Sequence, residues 1–283
     1  LRRIRGIKST QQITKAMEMV AAVKLNKVRL QAEHSRPYVD RMKTIMCALR
    51  SSADDISDPL FIQREAQRIM LVVITSDRGL CGTFNVNVIN AAKNFLEQQA
   101  DKQVSILAVG RKGNDALSRM GYKIERFFPV PWGEALEPET RNISIFLMET
   151  FTSEGVDAVH VLYSRFANVL QYVPTTLQYL PIPPLTQAER KDLLRLSADF
   201  IVEPSFEMVA NTLTPRYLET QIYHCIIESI ASEYAARMVS MRNANDNADE
   251  VIRDLTLTYN KARQATITRE LIDIIGGVEA LKG

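Results

Sequence analysis

Helix breakers are nearly absent from the last third of this chain. After Pro215 there is no further proline, and the only glycines are Gly276, Gly277 and Gly283. That excludes a loop-rich or sheet-forming C-terminal region. Cysteine is sparse: Cys47, Cys81 and Cys225 are odd in number and share no close spacing. A disulfide framework and a clustered metal site are thereby excluded, and a reducing compartment fits. His34, His160 and His224 stand apart from one another and read as core or surface residues rather than ligands. No apolar run is long enough to span a bilayer. Neither the complete phosphate-loop pattern nor G-x-G-x-x-G occurs, which removes the usual sequence signatures of nucleotide binding.

What is present is periodicity. Ile226, Ile230, Tyr234, Met238 and Met241, then Ile252, Leu255, Tyr259 and Ala262, then Ile267, Leu271, Ile274, Val278 and Leu281 recur at steps of three and four. This spacing predicts a long amphipathic helix, with changes of phase near Asn245–Ala248 and Ala265–Ile267. Unbroken, it would be roughly 100 Å long at 1.5 Å per residue. No compact domain needs such a rod, so the rod itself is expected to carry the function.

The other end of the chain reads the same way. Ile4, Ile7, Ile13, Met17, Val20, Val23 and Val28 fall at helical spacing, with a bend expected at Pro37. Residues 1–50 carry 12 Lys/Arg against only Glu18, Glu33 and Asp40, a local net charge of +9 although the whole chain is only +2. Such a face suits an acidic partner, nucleic acid or an anionic surface, and is equally what a solvated face looks like. The scarcity of aromatics there, with Tyr38 alone, weighs against nucleic acid.

Between the two helices the pattern changes. Ile69–Thr75 is a continuous β-branched run typical of a strand buried on both faces. Helix is expected over Val86–Ala100, Lys112–Met120 and Thr140–Ser153. Strand is expected over Val104–Val109, Tyr122–Phe128, Ala158–Ser164 and Val173–Leu180. Thr186–Asp199 reads as loop or a short helix. Alternation of this kind argues for a mostly parallel sheet covered by helices. The expected fold class is α/β: a small Rossmann-like domain over 68–185, flanked by helices over 1–58 and 206–283 that form an antiparallel coiled coil.

Two turns could carry chemistry. Ser76–Thr83 follows a buried strand and precedes a helix, where α/β folds hold phosphates, and Gly110–Gly113 occupies a similar position. Both lack the rest of a phosphate motif, so a structural turn or docking loop is the preferred reading. Cys81, near a helix start, could have a lowered pKa, but no partner His or second Cys accompanies it. The alternative function left open by these turns is an α/β nucleotide-binding enzyme with coiled-coil arms.

Four blocks carry a family resemblance: Ile13–Ala22, Ser76–Gly82, Met241–Ala248 and Leu255–Leu271. Together, in order and along the whole chain, they resemble the γ subunit of F-type ATP synthase. Val278 stands where that family usually has Ala, Thr83 where Gly is common, and Asp273 where Glu is more usual. The resemblance implies a central-stalk rotor that makes and breaks no bond itself. It implies one copy per complex, inside a ring of three α and three β subunits, with the ε subunit and the membrane c-ring bound at its foot. Membrane contact would be only through the c-ring, with no nucleic acid and no cofactor. The location implied is the cytoplasmic face of a bacterial inner membrane, or alternatively the mitochondrial matrix face. No regulatory insert with paired cysteines is seen, against a plastid or cyanobacterial source. Carried over residue by residue, the β-facing positions are Met17, Arg237, Arg263, Gln264, Thr268, Glu270 and Asp273. Glu203 matches a position near the c-ring and ε, and the basic face of residues 1–50 would meet an acidic lever segment of β.

Overall fold

The computed structural model describes residues 1–52, 59–183, 203 and 206–280. The segment Thr186–Asp199 lies outside them. Two compact units emerge. One joins Leu1–Ala21 to Met238–Gly283, and the other is Ala22–Arg237.

Two helices dominate the element order. Helix α1 spans Arg2–Ser52 and α5 spans Phe206–Ala280. Each contains one proline, Pro37 and Pro215, and each continues through it as a single element. Between them lie β1 (Arg68–Ile74), α2 (Phe84–Gln98), β2 (Gln103–Val109), α3 (Arg111–Arg119), β3 (Ile124–Phe128), α4 (Leu136–Thr152), β4 (Ala158–Asn168) and β5 (Gln171–Leu180).

In the first unit α1 and α5 run antiparallel. Gln11 meets Asp249, Thr14 meets Asn245 and Glu18 meets Arg242, so one number falls as the other rises. The seam residues of α1 are Ile4, Ile7, Gln11, Thr14, Glu18 and Ala21, those of α5 Met241, Asn245, Ala248, Ile252, Leu255 and Tyr259. Both follow unbroken alternating steps of three and four, the heptad spacing of a left-handed coiled coil. The change of phase expected near Asn245–Ala248 is therefore absent. Asn245 occupies a seam position itself, which a search for apolar residues alone skips over. For the same reason Ile13 and Val20, counted into the stripe from sequence, are exposed on the outer side of α1.

In the second unit a five-stranded sheet has the order β3-β2-β1-β4-β5. Pairings β1–β2, β1–β4 and β2–β3 are parallel, and β4–β5 is an antiparallel hairpin. The apolar run of β1 is buried on both faces, as a central strand of a covered sheet requires. One face buries Leu71, Val73 and Ile106 against Val88, Ala92 and Leu96 of α2 and Leu117 of α3. Helix α4 buries Ile143, Leu147 and Phe151, and its Ser144 hydroxyl bonds the Tyr179 hydroxyl of β5 at 2.9 Å. The start of the sheet is tied by Asp157, which accepts the backbone N–H of Gln67 and Arg68 and pairs with the Arg68 guanidinium at 2.7 Å.

Helix α5 closes the domain with a face of small residues. Ser229 accepts the N–H of Ser164, and Ser232 donates to the Ser164 carbonyl at 3.0 Å. Ala231, Ala235 and Ala236 are buried beside them. Side chains this short let the helix backbone approach the ends of β1 and β4 closely.

Candidate partner-binding surface

Among the described residues, a continuous exposed stretch lies toward the far end of α5. Every described side chain from Lys261 to Ile275 is exposed. Among them Ile267, Leu271, Ile272, Ile274 and Ile275 are large and apolar, with Leu271 53% and Ile274 62% exposed. At about 100° per residue, Ile267, Leu271 and Ile274 fall within an arc of about 60°. Arg263 and Glu270 border that arc on one side, with Asp273 beyond them, and Gln264 and Thr268 border it on the other. Five of the positions carried over from sequence thus ring an exposed apolar strip. An isolated helix with this much apolar surface is poorly suited to water and well suited to a sleeve made by other chains. The strip was legible in the period of the sequence; its lack of a partner within the chain was not.

On α1 of the same unit, Met17 is half-buried, while Ile13, Met19 and Val20 are exposed on the outer side. Arg5, Lys8 and Lys15 are exposed as well, so the basic residues near this end do face outward.

Arg237 behaves differently. It is only 8% exposed and forms an ion pair with Glu233, one turn back on α5. Its Nη2 donates to the Gly79 carbonyl at 3.2 Å and its guanidinium lies 5.4 Å from the Tyr234 ring centre. Burial holds the Glu233 carboxyl above its ordinary pKa, and the Arg237 charge opposes that rise. Arg237 therefore faces the domain's own Ser76–Thr83 turn instead of offering itself outward. Beside it, Lys24 of α1 donates to the Tyr234 hydroxyl at 3.3 Å and sits 5.0 Å from the Trp132 ring centre.

The Gly110–Gly113 turn is filled from within. Asp77 accepts the N–H of Arg111 at 2.9 Å and that of Val130 at 3.1 Å. Ser76 O takes the Lys112 N–H, and Thr75 Oγ1 takes the Gly113 N–H at 2.8 Å. The amides of Arg111, Lys112 and Gly113 are those a phosphate bound at the start of α3 would need, and all three are committed to the protein. The Cys81 thiol is buried and its pKa is raised, chiefly by that burial. It is no activated thiolate, contrary to what its place before a helix suggested. A cleft of about 620 Å³, lined by Arg68, Met70, Gln103, Lys123 and Phe146 among others, opens at the N-terminal ends of β1 and β2. Open α/β sheets bind nucleotides at the opposite, carboxyl ends. Among the described residues no three His, Cys, Asp or Glu gather as a metal site would require, and no helix is long and apolar enough to cross a membrane. Glu203 is exposed, and its immediate neighbours lie outside the described residues.

Comparison with known proteins supplies an independent line. A family profile described as ATP synthase matches residues 1–281. An ATP synthase gamma chain of Heliobacterium modesticaldum is 43% identical over 286 residues, covering 99% of this chain and 97% of its own. One from Flavobacterium psychrophilum is 42% identical with the same coverage. Among solved structures, the central stalk/c-ring of the Tetrahymena thermophila mitochondrial ATP synthase matches with a TM-score of 0.61 and 27% identity, covering 82% of this chain and 99% of the matched one. A chain of the Euglena gracilis mitochondrial ATP synthase matches with a TM-score of 0.66, covering 99% of this chain and 92% of its own. At 20% identity that last likeness speaks for the fold alone.

Proposed function

This chain belongs to the ATP synthase γ-chain family, and on that premise we propose that it is the central-stalk rotor of an F-type ATP synthase, coupling ion-driven rotation of a membrane ring to the nucleotide cycle of the catalytic subunits. The observation that carries the reading is the apolar end of α5. It is a long helix whose side chains from Lys261 to Ile275 are all exposed. A side chain such as Leu271 is worth about 1.5–3 kcal/mol when fully buried, so a surrounding sleeve would hold the tip while leaving it free to turn.

The finer assignments follow as part of the same proposal. The sleeve is made by three α and three β subunits around one copy of this chain, and the ε subunit and the c-ring bind it, near Glu203 among other places. Met17, Arg263, Gln264, Thr268, Glu270 and Asp273 face β, with Arg263 suited to a carboxylate through its planar fork. Arg237 is better suited to holding the Ser76–Thr83 turn than to reaching a partner, since its donors are engaged within the domain. The chain performs no catalysis of its own; the occupied amides at the start of α3 speak against the nucleotide-enzyme alternative. It is a peripheral part of a membrane complex, on the cytoplasmic face of a bacterial inner membrane.

Reconstitution tests this. The chain is mixed with α and β subunits from its own source, and Mg-ATP hydrolysis is followed with and without it. The expected result is a complex with one copy per three αβ pairs, whose turnover falls in an Arg263→Ala/Gln264→Ala double variant. Failure to form a complex, with nucleotide binding by the chain alone, would return the α/β domain to an enzymatic reading.

A further inference from the structure

Three successive seam positions of α1 are polar: Gln11, Thr14 and Glu18. Each finds a polar partner on α5. Gln11 Nε2 donates to Asp249 Oδ1 at 2.7 Å, and Thr14 Oγ1 donates to Asn245 Oδ1. Glu18 Oε1 accepts from Arg242 Nε at 3.1 Å, and its Oε2 accepts from Asn245 Nδ2 at 3.1 Å. Lys15 adds a further bond to Oε2 at 3.0 Å. Glu18 and Asn245 are both buried. The Glu18 carboxyl lies below its ordinary pKa, first because Lys15 donates to it and then because Arg242 and Asn245 do, so it stays charged within the seam.

For stability alone this is a poor composition, because well-packed apolar residues in such a layer do as well or better. A polar layer supplies register instead. Methyl groups are interchangeable, so an apolar seam displaced by one heptad, about 10 Å along the axis, buries nearly the same surface. The polar layer does not tolerate the move. A displacement of one heptad in one direction sets Glu18 against Asp249 and Ile252. In the other direction it meets Met238, and in both cases the buried carboxylate loses both donors on α5 and keeps only Lys15 of its own helix.

Torque applied to a two-stranded coil pushes one strand past the other along the axis. We propose that the Gln11, Thr14 and Glu18 layer, with Arg242, Asn245 and Asp249, locks the axial register of the two helices under load, and that coupling of rotation to catalysis depends on this lock. The proposal rests on the rotor reading above. These six are positioning residues, since none needs to touch a nucleotide or a catalytic subunit to act.

The test uses the complete complex in ion-tight vesicles, measuring ions pumped per ATP hydrolysed. A Thr14→Val/Glu18→Leu/Asn245→Leu variant replaces the layer with apolar side chains. Its chain is expected to melt no lower than the unaltered one and to support ATP hydrolysis, while the pumping ratio falls severalfold. A bridge then tests register directly. Gln11→Cys and Asp249→Cys are added in a Cys47→Ser background and joined by a short thiol–thiol cross-linker, Cys81 and Cys225 being buried. The bridge is expected to restore the ratio, which a loss of packing or shape would not allow. Should the triple variant fail to assemble, Glu18→Gln keeps the shape, removes the charge and should lower the ratio in the same direction. An unchanged ratio in a variant that assembles, or no recovery with the bridge complete, overturns the lock. Absence of pumping with the unaltered chain would instead overturn the rotor reading.

Discussion

Arg237 is the residue at which chemistry and position pull apart. A guanidinium on the long helix is a natural candidate for reaching outward, yet here it is enclosed with Glu233 and the Gly79 carbonyl. Removing one partner of a buried ion pair strands the other. Arg237→Met should therefore destabilise the chain by about 3–5 kcal/mol, and replacing both members in Arg237→Met/Glu233→Leu should recover much of that loss. Trp132, the one tryptophan and a neighbour of Tyr234, gives a fluorescence signal for the melting experiment. The pH dependence has a definite sign. Burial already raises the Glu233 pKa in the folded chain, and without Arg237 it rises further. Folding then favours the protonated carboxyl. The deficit of the single variant should be smallest at acid pH and grow as pH rises through the raised value. A deficit that shrinks toward alkaline pH would mean that Glu233 is not the stranded group. Asp157 has the opposite sign. Its pKa is lowered, chiefly by the Arg68 hydrogen bond. Its contribution is present above the unfolded value of about 3.9 and is lost as pH falls through the folded one. Asp157→Ala should cost about 1–3 kcal/mol at neutral pH and progressively less in acid, measured by denaturant midpoints across that range.

At the scale of elements, the central strand β1 was legible as a β-branched run, and the alternation of extended and helical segments around it marked the rest of the sheet domain. The antiparallel edge strand β5 followed from its composition, though its direction depended on the hairpin with β4. The coiled coil was legible in existence and not in detail. Its seam passes through Gln11, Thr14, Glu18 and Asn245, residues that apolar periodicity discards, so the sequence pattern favoured Ile13 and Val20, which in fact face outward. Among the candidate sites, the exposed strip of α5 was readable, whereas the inward turn of Arg237 depends on Glu233 and a loop more than 150 residues away in sequence. One junction is decided by a glycine. Gly110 joins β2 to α3 with φ +97°, and a Cβ there would stand 2.3 Å from the Thr75 carbonyl oxygen. Both the dihedral and the contact forbid a side chain. Gly110→Ala should lower the denaturant midpoint by the equivalent of about 2–3 kcal/mol without changing the slope. A loss below about 0.5 kcal/mol would show that the turn can shift to make room.

At the scale of the whole molecule, the proposed function and folding draw on different surfaces, and experiment can separate them. The interior of the α/β domain and the seam of the helix pair bury what the chain needs to fold. The described side chains of the α5 tip, Lys261 to Ile275, are all exposed and should contribute nothing to the chain's stability beyond helix propensity. A Leu271→Asn/Ile274→Asn variant should thus unfold within about 0.5 kcal/mol of the unaltered chain. In the complex the same variant should leave faster, because two side chains worth about 1.5–3 kcal/mol each on burial no longer oppose release. The measurement is the exchange of labelled for unlabelled chain in assembled complexes, alongside denaturant melts of the chain alone. Faster exchange with unchanged melts supports an apolar sleeve around the tip. Equal exchange would mean that retention resides elsewhere, on the polar border formed by Arg263, Gln264 and Thr268 or on the outer face of α1. Lower stability of the isolated chain would mean that the tip packs within the chain after all.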